Sequence, residues 1–175
     1  MLMVRRGGFR FPGIAESAFC IEGMYAEIIA DGCHLPPEIL RMVWRLLGPE
    51  HVILTCDAIR CAGTDVTESI IGSVENGMPI IIEDEVAKLP DRSAFAGSVA
   101  TAQRLVRVMY QKANVPLEDC VRMYTLTPAQ LIGMDGCKGS LEIGKDADLV
   151  CFNGNIEVQG VLTAGYRSGV FAEKN

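Results

Sequence analysis

The chain has 175 residues, of which 49% are hydrophobic, so it has room for one domain with a buried core. Its formal net charge is −6, and its 16 lysines and arginines form no dense basic run. Nucleic-acid phosphates demand a basic face, so the composition argues against a nucleic-acid partner. The first residues contain no apolar run long enough for a signal peptide or a membrane span, so we expect no membrane association.

The cysteines are odd in number, and none is spaced as a C-x-x-C pair. This pattern indicates reduced thiols and predicts a cytoplasmic protein. The seven are Cys20, Cys33, Cys56, Cys61, Cys120, Cys137 and Cys151.

The first half of the chain predicts a parallel βαβ unit. The first dozen residues look like a loop, and the apolar run 25–30 predicts a strand that ends at Asp31-Gly32. A helix is expected to begin at Pro36-Pro37 and end at Gly48, with an apolar face of Ile39, Met42, Val43, Leu46 and Leu47. The run 51–55 predicts the second strand.

The second half predicts a hairpin followed by helices and strands. Residues 78–89 contain two apolar stretches around an acidic Glu83-Asp84-Glu85, which is typical of a hairpin that interrupts the α/β alternation. Ser98 is expected to cap a helix that runs to Lys112. Further elements are expected as helices at 116–124 and 128–133 and as strands at 148–152 and within 158–171.

Asp57 and His34 are the candidate functional residues of the βαβ unit. Both follow predicted strands, and parallel strands place their carboxyl ends at one edge, where α/β enzymes hold catalytic groups. Structural alternatives remain for both, since Asp57 could cap a turn and His34 could be a surface residue. Arg10 could clamp an anion or be solvated.

The histidines and cysteines do not form a recognisable zinc site. Catalytic zinc needs three protein ligands, and two histidines expected at opposite strand ends cannot supply them. Ligation by Cys33 and Cys56 is formally possible, but small thiols in and beside strands usually pack in the core. We therefore predict no metal ligand in this chain.

Four segments together resemble one family. Arg10-Phe11-Pro12-Gly13 is similar to R-E-P-G, Ile29-Ala30-Asp31-Gly32-Cys33-His34 to I-A-D-G-x-H, Leu54-Thr55-Cys56-Asp57-Ala58 to L-V-T-D-A, and Phe95-Ala96-Gly97-Ser98 to L-A-G-S. These motifs, in this order, resemble the N-acetylglucosamine-6-phosphate deacetylases of the amidohydrolase superfamily. A tail with Thr127-Pro128-Ala129 and Gly144-Lys145-Asp146-Ala147-Asp148-Leu149 resembles amidohydrolases in general, with Thr127 in place of the usual asparagine.

The resemblance implies a fold and a position within it. It implies an α/β protein that corresponds to the C-terminal half of the family's enzymes. Residues 1–135 would be the last βα units of a metal-dependent-hydrolase (β/α)₈ TIM barrel, with the hairpin near 78–89 as an insertion. Residues 136–175 would be the C-terminal strands of a small β-sandwich. A full barrel takes about 250 residues, so this chain would not close one alone.

The resemblance also implies residue roles. Asp57 would be the catalytic general base, which deprotonates metal-bound water and then protonates the departing amine. His34 would bind the sugar phosphate. Arg10 would match the arginine that reaches the substrate's phosphate from the neighbouring subunit. Phe95, Ala96 and Gly97 would line the substrate pocket. The family uses a divalent metal, zinc or similar, held by a glutamate and two histidines that have no counterpart here.

Three functional hypotheses follow. The first is removal of acetate from an amino-sugar phosphate in amino-sugar catabolism, with the metal-binding half supplied by another segment. The second is a truncated, non-catalytic remnant or interaction module. The third is another amidohydrolase, such as a cyclic-amide hydrolase or a deaminase, which shares the tail but does not account for His34 and Arg10. Exposed apolar surface predicts either a homodimer or pairing with a missing N-terminal half.

Overall fold

The computed structural model describes residues 3–164 and 166–168. The helices of this part are α1 (Ile14–Cys20), α2 (Pro37–Leu47), α3 (Ala102–Arg107), α4 (Leu117–Tyr124) and α5 (Leu126–Leu131). The strands are β1 (Met3–Arg6), β2 (Phe9–Pro12), β3 (Ala26–Ile29), β4 (Val52–Thr55), β5 (Glu68–Ile71), β6 (Met78–Glu83), β7 (Val86–Lys88), β8 (Phe95–Ser98), β9 (Leu149–Phe152), β10 (Val158–Thr163) and β11 (Tyr166–Ser168). The fold is therefore mixed α/β.

The predicted βαβ unit is confirmed. Strands β3 and β4 are parallel, and α2 connects them. The chain beyond β4 continues the sheet against β8, because the Ser98 amide donates to the Asp57 carbonyl at 2.9 Å and the Ile59 amide donates to the Ser98 carbonyl at 3.0 Å. Three adjacent parallel segments thus bring their carboxyl ends to one edge.

The predicted hairpin is confirmed as β6 and β7, within a four-stranded antiparallel sheet of order β5-β6-β7-β8. Its two turn residues, Asp84 and Glu85, have φ values of 51° and 61°, which a two-residue hairpin turn requires. The prediction that Ser98 caps a helix was wrong. Ser98 ends β8 and is fully buried, and the helix begins at Ala102. Pairing with the Asp57 segment outweighs the capping preference of serine.

The first dozen residues form a hairpin rather than the predicted loop. Strands β1 and β2 pair antiparallel around Gly7 and Gly8, whose φ values are 55° and 83°. Two consecutive glycines adopt these left-handed conformations without steric cost, so a two-residue turn can close the hairpin. The described side chains of the hairpin are exposed.

The main core lies between the β3–β4 pair and the helices. It includes Leu40 and Val43 of α2, Leu105 of α3 and Met109 of the π-helical turn Val108–Lys112 that continues α3. The predicted apolar face of α2 was partly wrong, since the buried residues are Leu40 and Val43, while Ile39, Met42 and Leu46 are exposed. The helix is oriented so that Ile39, Met42 and Leu46 face away from the core.

The C-terminal strands form a separate sheet. The predicted strands are confirmed as β9, β10 and β11, which pair antiparallel in the order β11-β10-β9. The part of the predicted tail after Ser168 lies outside the described residues. Within the described part of the chain, no helix is long and apolar enough to cross a membrane.

Thr127 joins α5 to the loop after α2, and it provides a test of the fold. It is fully buried, and its hydroxyl donates to the Pro49 carbonyl at 2.7 Å. Thr127→Val keeps the shape but leaves that carbonyl without its donor, so we expect the free energy of unfolding to fall by about 1–2 kcal/mol.

The matched control is Thr101→Val, since Thr101 is exposed and makes no side-chain cap at the start of α3. Urea unfolding should show a change within about 0.5 kcal/mol for this control. Equal stability of the Thr127 variant and the control would contradict the role of the Thr127 hydroxyl.

Candidate active site

Asp57 lies directly beyond β4 at the shared edge of the parallel segments. Its φ is 49°, a left-handed conformation that aspartate tolerates better than most residues. Its carbonyl is fixed by the Ser98 amide, whereas its exposed carboxylate has no hydrogen-bond partner within residues 3–164 and 166–168. The strand pairing therefore fixes the backbone and leaves the carboxylate free to act on a ligand.

Gly97 of β8 lies against Asp57. Its φ is +87°, and a Cβ built there would stand 2.6 Å from Ile59 Cγ2 and 3.9 Å from Asp57 Oδ2. Glycine is needed here both for the backbone conformation and for the close approach of Ile59. The absence of a side chain at 97 also leaves room beside the Asp57 carboxylate.

His34 follows β3 and is held by a buried aspartate. The Nδ1 atom of His34 is 2.8 Å from Asp31 Oδ2, and the amides of Cys33 and His34 donate to Asp31 Oδ1 at 2.8 and 2.9 Å. Asp31 is fully buried, while the His34 side chain keeps 18% of its surface exposed. The loop therefore presents the imidazole from a rigid base.

The Asp31 carboxyl is charged despite its burial. Burial by itself would raise its pKa, but hydrogen bonds from the His34 and Cys33 amides, the His34 ring and the Ser98 hydroxyl together hold the pKa below its usual value of 3.8. A carboxylate that satisfies its lone pairs in this way anchors the loop.

Phe95 and His34 come together at the start of β8. Their ring centroids are 5.0 Å apart and the planes are tilted by 58°. Phe95 is 47% exposed, so it offers an apolar surface beside the imidazole. Ala96 differs, because its side chain is buried in a second apolar cluster with Cys61, Ile80 and Ala87. Only the backbone of Ala96 can line a pocket at this edge.

Arg104 of α3 ties the His34 loop to the β6–β7 turn. Its guanidinium donates to the Asp31 carbonyl at 3.1 Å, to the Glu85 carbonyl at 2.9 Å and to Cys33 Sγ at 3.3 Å. Burial and the nearby Asp31 charge raise the pKa of the Cys33 thiol. Cys33 thus contributes to this link as a partner of the Arg104 guanidinium.

Arg10 is placed apart from the other candidate residues. It lies on the exposed hairpin, directly opposite Arg5, and this hairpin packs against α1. Within the described residues no hydrogen bond or ion pair links it to His34 or Asp57. The structure therefore brings together His34, Asp57, Phe95 and Gly97, but not Arg10.

The described residues do not fit a catalytic metal ion. No group of three or more histidine, cysteine, aspartate or glutamate side chains that could hold an ion occurs in the part of the chain that the structure covers. The Asp31 carboxylate already accepts hydrogen bonds from two backbone amides and the His34 ring, so it is not available as a metal ligand. An open groove lined by Glu50, Asp119 and Arg122 lies elsewhere, beside α4, and contains no candidate site residue.

Comparison with known proteins places the chain in a family. The model of the amidohydrolase family matches residues 11–171. The chain belongs to the amidohydrolase family. Members of this family are generally metal-dependent. The similarity to N-acetylglucosamine-6-phosphate deacetylases expected from the four segments is also confirmed by relatives with that name.

Three relatives show the extent of the match. The N-acetylglucosamine-6-phosphate deacetylase of Lysinibacillus sphaericus is 31% identical over 156 residues, which is 89% of this chain and 39% of the relative. The N-acetylgalactosamine-6-phosphate deacetylase of Shewanella sp. (strain ANA-3) is 32% identical over 156 residues, covering 89% of this chain and 38% of the relative.

The third relative is a solved structure. A mutant N-acetyl-D-glucosamine-6-phosphate deacetylase of Mycobacterium smegmatis, in complex with N-acetyl-D-glucosamine-6-phosphate, matches with a TM-score of 0.80 and 28% identity over 89% of this chain and 40% of that one. This amidohydrolase chain thus spans about two fifths of the length of its relatives.

Sequence reasoning missed three residues of this site: Asp31, Ser98 and Arg104. The sequence patterns place Asp31 in the turn after a strand and in the I-A-D-G-x-H segment, but they assign the side chain no role. The available signal was an acidic residue directly after a buried apolar strand. Such a side chain can accept hydrogen bonds from backbone amides two and three residues later. Ser98 and Arg104 act through partners distant in sequence, which no local pattern reveals.

The close approach at Gly97 predicts a large effect of a single methyl group. Gly97→Ala adds a Cβ in a left-handed conformation and against Ile59, so we expect a loss of at least about 1–2 kcal/mol in the free energy of unfolding. Gly136→Ala is the matched control, since Gly136 has open space around its Cα and no positive φ. Equal urea midpoints for the two variants would contradict the close packing at Gly97.

The lowered pKa of Asp31 predicts a pH-dependent contribution to stability. The carboxylate stabilises the fold above its unfolded pKa of about 3.8, and this contribution disappears as the pH falls through the lower, folded value. We therefore expect Asp31→Asn to cost about 1–3 kcal/mol near neutral pH and less as the pH approaches about 3.

Urea unfolding of Asp31→Asn and the parent chain over this pH range measures the difference. Glu85→Gln removes an exposed acid near Arg104 without touching His34, and it should show little change. A difference for Asp31→Asn that stays constant with pH would contradict the charged state of Asp31.

Proposed function

We propose that this chain is the part of an amino-sugar-phosphate deacetylase that carries the catalytic carboxylate and the sugar-binding edge. The substrate would be N-acetylglucosamine 6-phosphate, and the reaction would release acetate. The observation that carries this proposal is the free, exposed carboxylate of Asp57 beside Gly97, at the same edge as His34 and Phe95. The names of the relatives support the substrate class.

Asp57 would act as general base and then as general acid. It would accept a proton from the water that attacks the acetyl carbonyl carbon, and it would return that proton to the nitrogen when the C–N bond breaks. The products are acetate and the free amine. A carboxylate without a local partner can approach both atoms, which this type of proton transfer requires.

The sugar would bind between the loop after β3 and strand β8. His34 supplies a hydrogen-bonding imidazole, Phe95 an apolar surface and Gly97 the space beside Asp57. Ala96 would contribute through its backbone.

Arg10 would bind the phosphate of a substrate held by a neighbouring copy. This assignment is supported by its place on an exposed hairpin, separate from its own chain's His34 and Asp57. Arg5 lies directly opposite, so two guanidinium groups share one face of the hairpin, and an anion between them would relieve their repulsion. The proposal implies at least a homodimer.

The divalent metal, zinc or a similar ion, would be held by ligands from another segment or a partner chain. The described residues do not form its site, so no catalytic step is assigned to it from them. The same segment would complete a (β/α)₈ barrel around β3, β4 and β8, within residues 1–135, and pair with the strands of residues 136–175 in a sandwich. The seven free cysteines support a cytoplasmic location.

A second candidate substrate is N-acetylgalactosamine 6-phosphate, because the Shewanella relative is named for it and is equally similar. The non-catalytic alternative would retain the same fold without turnover. A third possibility, another amidohydrolase reaction, offers no role for His34.

A chimera tests the proposed function. The chain would replace the matching segment of the Lysinibacillus sphaericus deacetylase, and acetate release would be measured with both sugar phosphates and added zinc. We expect turnover, and Asp57→Asn should lower kcat by about 10²-fold or more. Asp91→Asn, an exposed acid on the connection between β7 and β8, is the matched control and should keep activity.

The chain alone is the complementary measurement. We expect no stoichiometric zinc by elemental analysis and no measurable acetate release. A folded chimera that binds zinc but is inactive on both sugars would contradict the deacetylase assignment and favour the non-catalytic alternative.

A further inference from the structure

Arg104 of α3 contacts three separate points beside the proposed sugar site. Its Nε donates to the Asp31 carbonyl at 3.1 Å, its Nη1 to the Glu85 carbonyl at 2.9 Å and its Nη2 to Cys33 Sγ at 3.3 Å. The side chain keeps only 16% of its surface exposed, so these donors have little access to water. Each of the three guanidinium nitrogens is therefore committed to a group of the protein.

The helix that carries Arg104 is fixed against the core. The two residues after Arg104 are buried. Val108, four residues after Arg104, lies against Gly32, because a Cβ built on that glycine would stand 3.3 Å from Val108 Cγ1. Residues four apart share one helical face, so Arg104 and Val108 together support the loop of residues 31–34. This loop thus rests on a rigid base.

The turn between β6 and β7 depends on Arg104 for its place beside this loop. The pairing of β7 with β8 reaches only Val86, so Asp84 and Glu85 lie beyond the last pair. In the part of the chain that the structure describes, the one direct hydrogen bond between turn and loop is a long contact from Cys33 Sγ to the Asp84 carbonyl at 3.9 Å. A thiol is a weak donor, so Arg104 provides the main polar link between the turn and the loop.

We infer that Arg104 is a positioning residue of the sugar site, which holds the loop of residues 31–34 and the β6–β7 turn in one arrangement before substrate binds. This inference rests on the proposed function, because the loop carries His34. A planar guanidinium donates in several fixed directions at once, whereas lysine carries a single nitrogen. The shape of the arginine side chain is therefore required in addition to its charge.

Arg104 acts on substrate binding and not on proton transfer. Its contacts are with the loop after β3 and with the hairpin turn, whereas the Asp57 segment is held separately by the Ser98 amide at 2.9 Å. A loop that must become ordered when substrate binds lowers the affinity. Loss of the Arg104 guanidinium should therefore raise KM and leave kcat nearly unchanged.

Arg107 provides a matched control on the same helix. Its guanidinium donates to the carbonyls of Asn155 and Ile156 at 2.9 and 3.1 Å, so it also joins α3 to a loop through backbone carbonyls. That loop follows β9 and carries no candidate site residue. Arg107→Gln therefore removes the same kind of link at a place away from the sugar site.

Amide hydrogen exchange of the nitrogen-15-labelled 175-residue chain tests the positioning without any activity. The Cys33 and His34 amides donate to the buried Asp31 carboxylate, so their exchange reports opening of the loop. Relative to the amides of β3 and β4, we expect Arg104→Gln to speed the exchange of these two amides by about 10-fold or more. Arg107→Gln should leave this ratio unchanged.

Arg104→Lys keeps the charge and the aliphatic stem, so it serves where Arg104→Gln does not fold, and it should show the same faster exchange. An exchange ratio in the folded Arg104 variants that equals the ratio in the parent chain overturns the inference. An equal increase in Arg107→Gln overturns it as well, because the effect would then be general to α3.

Kinetics of the chimera test the consequence for substrate. We expect Arg104→Gln and Arg104→Lys to raise KM for N-acetylglucosamine 6-phosphate by about 10-fold, with kcat within about 3-fold of the parent. Arg107→Gln should change neither constant. An unchanged KM in the Arg104 variants, or an equal rise in Arg107→Gln, overturns the assignment. An inactive parent chimera contradicts the proposed function but leaves the exchange result on the loop intact.

Discussion

The candidate site depends on one buried carboxylate. Asp31 accepts hydrogen bonds from two backbone amides and from the His34 ring, and its own carbonyl accepts from Arg104. Through these contacts it fixes the loop after β3, orients the imidazole and connects the loop to α3. A buried charge would be costly without partners, and its full satisfaction makes this loop rigid. Phe95 of β8 packs against the His34 ring, and Gly97 of the same strand lies against Asp57.

Much of the fold could be predicted from local patterns. The βαβ unit, the β6–β7 hairpin and the strands β9 and β10 follow from apolar runs separated by proline, glycine or acidic residues. The placement of Asp57 and His34 at one edge follows from parallel pairing, which the sequence order of strand, helix and strand implies. These predictions depend on residues that are close together in the sequence, so local patterns were sufficient to make them.

The remaining features depend on partners distant in sequence. Serine is a favoured residue at the start of a helix. Pairing with the Asp57 segment nevertheless places Ser98 in a strand. The exposed stripe of Ile39, Met42 and Leu46 has helical spacing like a core face, and only the rotation of α2 shows otherwise. The role of Asp31 could not be predicted, because the burial of its carboxylate depends on residues distant in sequence. The glycine pair Gly7-Gly8 is typical of a two-residue hairpin turn, and the prediction of a loop did not take it into account.

The proposed function requires that the edge formed by the ends of β3, β4 and β8 binds an amino-sugar phosphate. Titration of the nitrogen-15-labelled chain with N-acetylglucosamine 6-phosphate tests it most directly, with unphosphorylated N-acetylglucosamine and inorganic phosphate as controls. We expect the sugar phosphate to shift amide signals mainly in residues 31–34, 57–59 and 95–98. Shifts centred on the groove of Glu50, Asp119 and Arg122, with none at this edge, would contradict it.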